Sequence, residues 1–186
     1  MICNVHQRSL AVPIAEAGFL IDGLAGHDDR LWPADRWPPI RFDRPLGVGA
    51  RGGHGAIRYA VSAYVPGRRI QFTFTGRNID GFHEFELIDG GAGRCVLRHT
   101  LMAHASGSLR IVFPLLIRPL HDACLRDALD RAEAATGGAS QRRPLSRGVR
   151  LRRAVVGILW ARRGRTRANG VIKRRRLGGV SPAARG

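Results

Sequence analysis

The chain has 186 residues and a formal net charge of +17, concentrated at one end. Residues 1–136 carry 16 Arg against 14 Asp and Glu, whereas residues 137–186 carry 14 Arg, one Lys and no acid. The high isoelectric point therefore does not make the body a nucleic-acid binder, and the three cysteines are odd in number and lack CxxC spacing.

The opening residues, MICNVHQRSLAVP, lack a basic segment followed by a long apolar run, so no signal peptide is expected. Residues 2–12 alternate loosely and predict a first strand. Pro13 can open a helix, because the first helical N–H needs no partner. Ile14, Ala17, residues 19–21 and Leu24 make that helix short and amphipathic, ending near Gly23–Gly26. Residues 31–40 (LWPADRWPPI) hold three prolines and two tryptophans. They predict a stiff connector in which Trp32 and Trp37 clamp one end of the domain. Residues 41–48 predict a second strand, limited to an edge by Pro45. The glycine-dense residues 47–55 (GVGARGGHG) predict a loop or bulged junction, with His54 at a pocket mouth.

Four strands follow. Residues 57–65 (IRYAVSAYV) alternate, with Ile57, Tyr59, Val61, Ala63 and Val65 on one face and Tyr64 on the other. Pro66-Gly67 turns the chain into 69–75, whose Ile70, Phe72 and Phe74 share a face. Residues 76–81 lead to 82–88, and 89–93 (DGGAG) turn that strand into 94–104. Registers centred on these turns predict three inward rows. They are Ala63, Ile70, Leu87 and Cys95; Val61, Phe72, Phe85 and Leu97; and Tyr59, Phe74, His83 and His99. The third places two imidazoles beside a phenol. Residues 109–117 are apolar but interrupted by Pro114, and Pro119 opens a cleaner helix to Thr136. Leu120, Cys124, Leu125, Ala128, Leu129 and Ala132 form its apolar stripe. Asp122, Asp127, Asp130 and Glu133 are expected on the opposite face, with Asp122–Arg126 and Asp127–Arg131 as ion pairs at four-residue spacing. Cys95 and Cys124 read as small buried hydrophobes, which suits a reducing, cytoplasmic setting.

This order predicts an α+β fold in which an antiparallel sheet wraps a long C-terminal helix, leaving a wedge for an apolar ligand. The LWPADRWPPI connector, the GARGGHGAIRYAVSAYVPGRRIQF run and the PLHDACLRDALDRAEA helix resemble the SRPBCC superfamily. This is the helix-grip group of START-type lipid carriers, pollen-allergen relatives and polyketide aromatase/cyclases. More narrowly, the chain is similar to small bacterial proteins of the polyketide-cyclase-like kind, over about residues 2–136. Many relatives have a tryptophan in the first helix where this chain has Gly18-Phe19. The resemblance implies an internal pocket for a hydrophobic small molecule without identifying the ligand, and no cofactor is expected.

The sheet candidates for that pocket are Tyr59, Val61, Phe72, Phe74, His83, Phe85, Leu97 and His99. Trp32, Trp37, His54 and His121 would contribute from outside the meander. His83 and His99 have three readings: packed and satisfied in the core, hydrogen-bonding a ligand carbonyl or hydroxyl, or moving a proton with Tyr59. The last would make the protein a cyclase/dehydratase-type enzyme. No metal site is expected there, since Glu84 and Glu86 point to the other face. GARGGHG lacks the GxxxxGK[ST] pattern and leads into a strand, so it is no phosphate-cradling loop.

Residues 137–186 read as a basic, disordered tail without a selected partner. An amphipathic helix over 150–162, with Leu151, Val155, Ile158 and Leu159 on one side, would instead permit weak contact with an anionic membrane, and the arginines with nucleic acid. The longest apolar run, 154–161, is far short of the roughly 20 residues of a spanning helix.

Overall fold

The computed structural model describes residues 1–140 and 143–157. They divide into two units, Met1–Leu145 and Ser146 onward. The first unit is built on strands β1 (Ile2–Leu10), β2 (Ile40–Phe42), β3 (Arg51–His54), β4 (Ile57–Val65), β5 (Arg69–Phe74), β6 (Ile79–Gly91) and β7 (Arg94–Ala105). They form one antiparallel sheet in the order β1-β7-β6-β5-β4-β3-β2. Helices α1 (Ile14–Ala17) and α2 (Phe19–Asp22) follow β1. A continuous helical run follows β7: α3 (Leu109–Val112), a π-type segment (Phe113–Ile117) and α4 (Arg118–Ala135). The expected open sheet with a long C-terminal helix is present.

Several local expectations need correction. The first helix is two single turns that meet at Gly18, which lies against the β4–β5 hairpin, where a Cβ would come within 2.9 Å of Gly67 Cα. The second strand stops at Phe42, before Pro45. Within the glycine-dense segment residues 47–50 form a turn, but Arg51–His54 is a strand, β3, paired with both β2 and β4. Glycine is needed there for close approach, since a Cβ on Gly52 would meet the Arg41 carbonyl oxygen at 1.9 Å. Pro114 does not break the helix. It lacks an N–H and would crowd the preceding turn, and the wider π-type turn accommodates it.

The register also differs from the expected rows. The β6–β7 turn consists of Ala92 and Gly93, with φ of 49° and 71°, and the pairing is irregular between Asp89 and Gly91. The β5–β6 turn is centred earlier, with Asn78 at φ 67°. Both ladders slip by two residues, which preserves faces but changes partners. One inner row is Val61, Phe72, His83, Leu101 and Asn4. The next is Tyr64, Ile70, Phe85, His99 and His6, and a third holds Leu87, Leu97 and Arg8. Tyr64 joins the inner face because the β4–β5 register shifts between Val61 and Ala63, which reverses the alternation. Its hydroxyl donates to Asp22 Oδ1 at 2.7 Å, and Val65 turns out to solvent.

The polar side of α4 is the largest correction. Asp127 and Asp130 are buried, and Asp122 bonds across to β1 instead of along the helix. The reason is cover from two directions. Arg8 of β1 holds Asp130 at 2.6 Å and also pairs with Glu133. Trp37 donates its indole N–H to Asp127 Oδ2 at 2.8 Å. Trp32 donates to the Pro38 carbonyl at 2.9 Å, so both indoles anchor the proline-rich connector. Cys95 and Cys124 are buried and Cys3 is exposed, and none of the three is in a disulfide.

In the second unit, residues 147–157 are helical, with the Ser146 hydroxyl accepting from the Val149 N–H at 3.3 Å. Leu151 and Val155 are exposed. Ile158, Leu159 and the remainder of the tail lie outside the described residues. No helix among the described residues is long and apolar enough to cross a membrane.

Candidate functional site

Inward alternation on β4, β5, β6 and β7 brings Tyr59, Phe72, Phe74, His83, Phe85 and His99 into one aromatic cluster. Its central ring is His83. Tyr59, Phe72, Phe74 and His99 lie with centroids 4.8, 4.9, 5.2 and 5.6 Å from it. His99 touches Phe85 at 4.7 Å and the α4 residue His121 at 5.2 Å. At the other end, His54 Nδ1 and the Tyr59 hydroxyl share a 3.0 Å hydrogen bond, and His54 packs on Trp32 at 4.8 Å. A line of rings thus runs from Trp32 through His54, Tyr59, His83 and His99 to His121.

The line starts at a cleft of ≈ 430 Å³ bordered by Asp29, Trp32, Ile40 and Phe42. Phe42 continues inward onto Tyr59 and Phe72, at 6.1 and 5.9 Å. A second cleft of ≈ 500 Å³ lies where Arg8, Asp130 and Glu133 face Ser140 and Arg143, and it is lined mainly by charge. Of the candidate residues, Trp32 alone borders either of these clefts. Val61 is in the row of His83, Leu97 lies one row beyond His99, and Trp37 is turned to Asp127.

Burial sets the electrostatics. It pushes His54 down to about 4 and does the same to His121, with His6 adding repulsion. His83 and His99 are held well below the usual imidazole value, again chiefly by burial. The Tyr59 phenol moves well above its ordinary value for the same reason. Near neutral pH the line is uncharged, able to give and accept hydrogen bonds. Yet His83 Nε2, His99 Nδ1 and His121 Nδ1 are buried with no hydrogen-bond partner among the described residues.

The inner face of β1 was not singled out by sequence reasoning. Asn4, His6, Arg8 and Leu10 occupy alternate positions, and the first three meet α4. The signal was present as polar residues in phase with buried Leu10, but a loosely alternating strand does not say which face is inward.

No family model and no curated protein matches the chain in sequence. Solved structures do match it in shape. CalU16 from Micromonospora echinospora is 15% identical, covers 86% of each chain and superposes with a TM-score of 0.52. Norcoclaurine synthase from Thalictrum flavum, in complex with dopamine and hydroxybenzaldehyde, is 16% identical over 75% of this chain and 90% of its own, with a TM-score of 0.53. A protein of Nitrosospira multiformis is 13% identical over 76% of this chain and all of its own, at 0.56. The chain has the helix-grip fold. Identities this low speak to the fold and leave the chemistry to the site.

Proposed function

We propose that this helix-grip protein binds a small, largely apolar molecule carrying a hydroxyl or carbonyl group. Its body would occupy the cleft at Trp32, Ile40 and Phe42, and its polar end would reach the His54–Tyr59–His83–His99 line. One observation carries this reading: His83 Nε2 and His99 Nδ1 are buried without hydrogen-bond partners among the described residues. Each orphaned polar atom costs about 1–3 kcal/mol, which a ligand hydrogen bond would recover. Of the two compounds held by norcoclaurine synthase, hydroxybenzaldehyde is of this kind, an aromatic ring carrying a hydroxyl and a carbonyl. Residues 1–136 would form the binding domain and 137–186 a basic extension.

Binding suits these residues better than acid–base catalysis. A general base works best with a pKa near the operating pH, and burial moves these imidazoles away from it. The test is native mass spectrometry of the full chain, purified without added ligand, then denaturation and identification of released species. Hydroxylated aromatic and polyketide-like compounds are titrated in parallel. A bound species is expected, and His83→Phe should weaken its affinity about tenfold through loss of one hydrogen bond. Neither co-purification nor binding from the panel, or unchanged affinity in His83→Phe, would overturn the proposal.

A further inference from the structure

Where β1 meets the first turns of α4, His6, His121 and Asp122 each present a metal-ligating atom, all within 4.8 Å of one another. Two elements distant in sequence supply them. His6 lies on the inner face of β1, opposite His99, and His121 and Asp122 follow Pro119 on α4. His6 Nε2 donates to Asp122 Oδ1 at 3.0 Å, and Asn4 Nδ2 donates to the same oxygen at 2.9 Å. The His121 ring lies 6.3 Å from that of His6 and rests on His99 at 5.2 Å.

Hydrogen bonding explains only part of this group. Asp122 Oδ1 takes both Asn4 and His6, while His121 Nδ1 remains buried and without a partner among the described residues. Two imidazoles and a carboxylate are a ligand set for borderline divalent ions, and a tetrahedral site places ligand atoms roughly 3.3 Å apart. The observed spacing is within a side-chain adjustment of that. The His6 and Asp122 side chains are 25% and 39% exposed, so the group opens to solvent on one side and would leave coordination positions for water. Asn4, through its hydrogen bond to Asp122, supplies an outer contact of the sort that orients metal ligands.

We infer that His6, His121 and Asp122 form a binding site for a divalent transition-metal ion, with Zn²⁺ as its simplest occupant. The site is separate from the small-molecule reading, since it requires neither the cleft nor His83. His6 would turn Nε2 from Asp122 to the ion in its Nδ1–H tautomer, and Asp122 would keep the Asn4 hydrogen bond. A metal on this side of His99 would also tie β1 to α4, linking the first strand to the last helix of the unit.

The experiment uses full-length protein stripped with EDTA and dialysed. Zn²⁺ alone is titrated by calorimetry, and Co²⁺ alone by visible absorption. The expected result is one ion per chain, with a Co²⁺ spectrum of nitrogen and oxygen ligands and no thiolate charge-transfer band. Cys3→Ser should bind unchanged. His6→Gln and Asp122→Asn should each weaken binding by at least about 100-fold, and Asn4→Ala by about tenfold. Failure to saturate at one equivalent, a thiolate band, or unchanged affinity in both ligand variants would overturn the inference. Should the variants misfold, the wild-type Co²⁺ spectrum still decides it.

Discussion

Acid should destabilise this protein well before its carboxylates titrate, and His54 shows by how much. In the fold its pKa falls from 6.5 to about 4, mainly by burial against Trp32 and Tyr59 with the Arg58 charge nearby. In the unfolded chain it titrates near its ordinary value. Between those values the unfolded state holds more protons, so stability rises with pH. The contribution is full above about 6.5 and is lost progressively as pH falls toward 4. From about pH 7.5 to about pH 5 His54 alone should remove about 2 kcal/mol. With a urea m-value of about 2 kcal/mol/M for a domain of this size, the midpoint should fall by about 1 M. His83, held down in the same direction, adds to the loss. The assay is urea unfolding followed by circular dichroism across that range, with EDTA present, for wild type and His54→Gln. The variant should retain about 2 kcal/mol more of its neutral-pH stability at about pH 5. A wild-type midpoint that is flat or rises on acidification would refute the argument, as would an identical acid loss in His54→Gln.

Two further predictions concern packing. Trp37→Phe removes the N–H that Asp127 accepts at 2.8 Å in a buried site, and should cost about 2 kcal/mol in urea unfolding. A loss below about 0.5 kcal/mol would mean that the connector is held by something other than this bond. Gly18→Ala sets two effects against each other. At φ −54° the backbone is helical and propensity favours Ala by about 1 kcal/mol, but the new Cβ would lie 2.9 Å from Gly67 Cα and 3.1 Å from its carbonyl oxygen. Overpacking against backbone should win, giving a net loss of about 1–2 kcal/mol in thermal or urea unfolding; a gain would show that the hairpin yields.

The sequence alone determined the strands from Ile57 to Ala105, the long helix and the connector clamped by Trp32 and Trp37, because periodicity and turn residues are local properties. It also placed His83, His99 and Tyr59 on the inner face, since a slip of two residues leaves alternation intact. Tertiary structure decided which of them meet. A turn reduced to Ala92-Gly93 and a left-handed Asn78 set partners that spacing leaves open, and a register shift after Val61 carried Tyr64 inward. It also decided that Asp122, Asp127 and Asp130 of α4 are used from across the fold. Helical spacing shows that these carboxylates leave the apolar stripe, but burial depends on what packs there. Here it is Asn4, His6 and Arg8 from the first strand and Trp37 from the connector, partners more than 85 residues away in the chain, as the hydrogen bonds record. Long-range cover of this kind leaves no periodic trace in either segment.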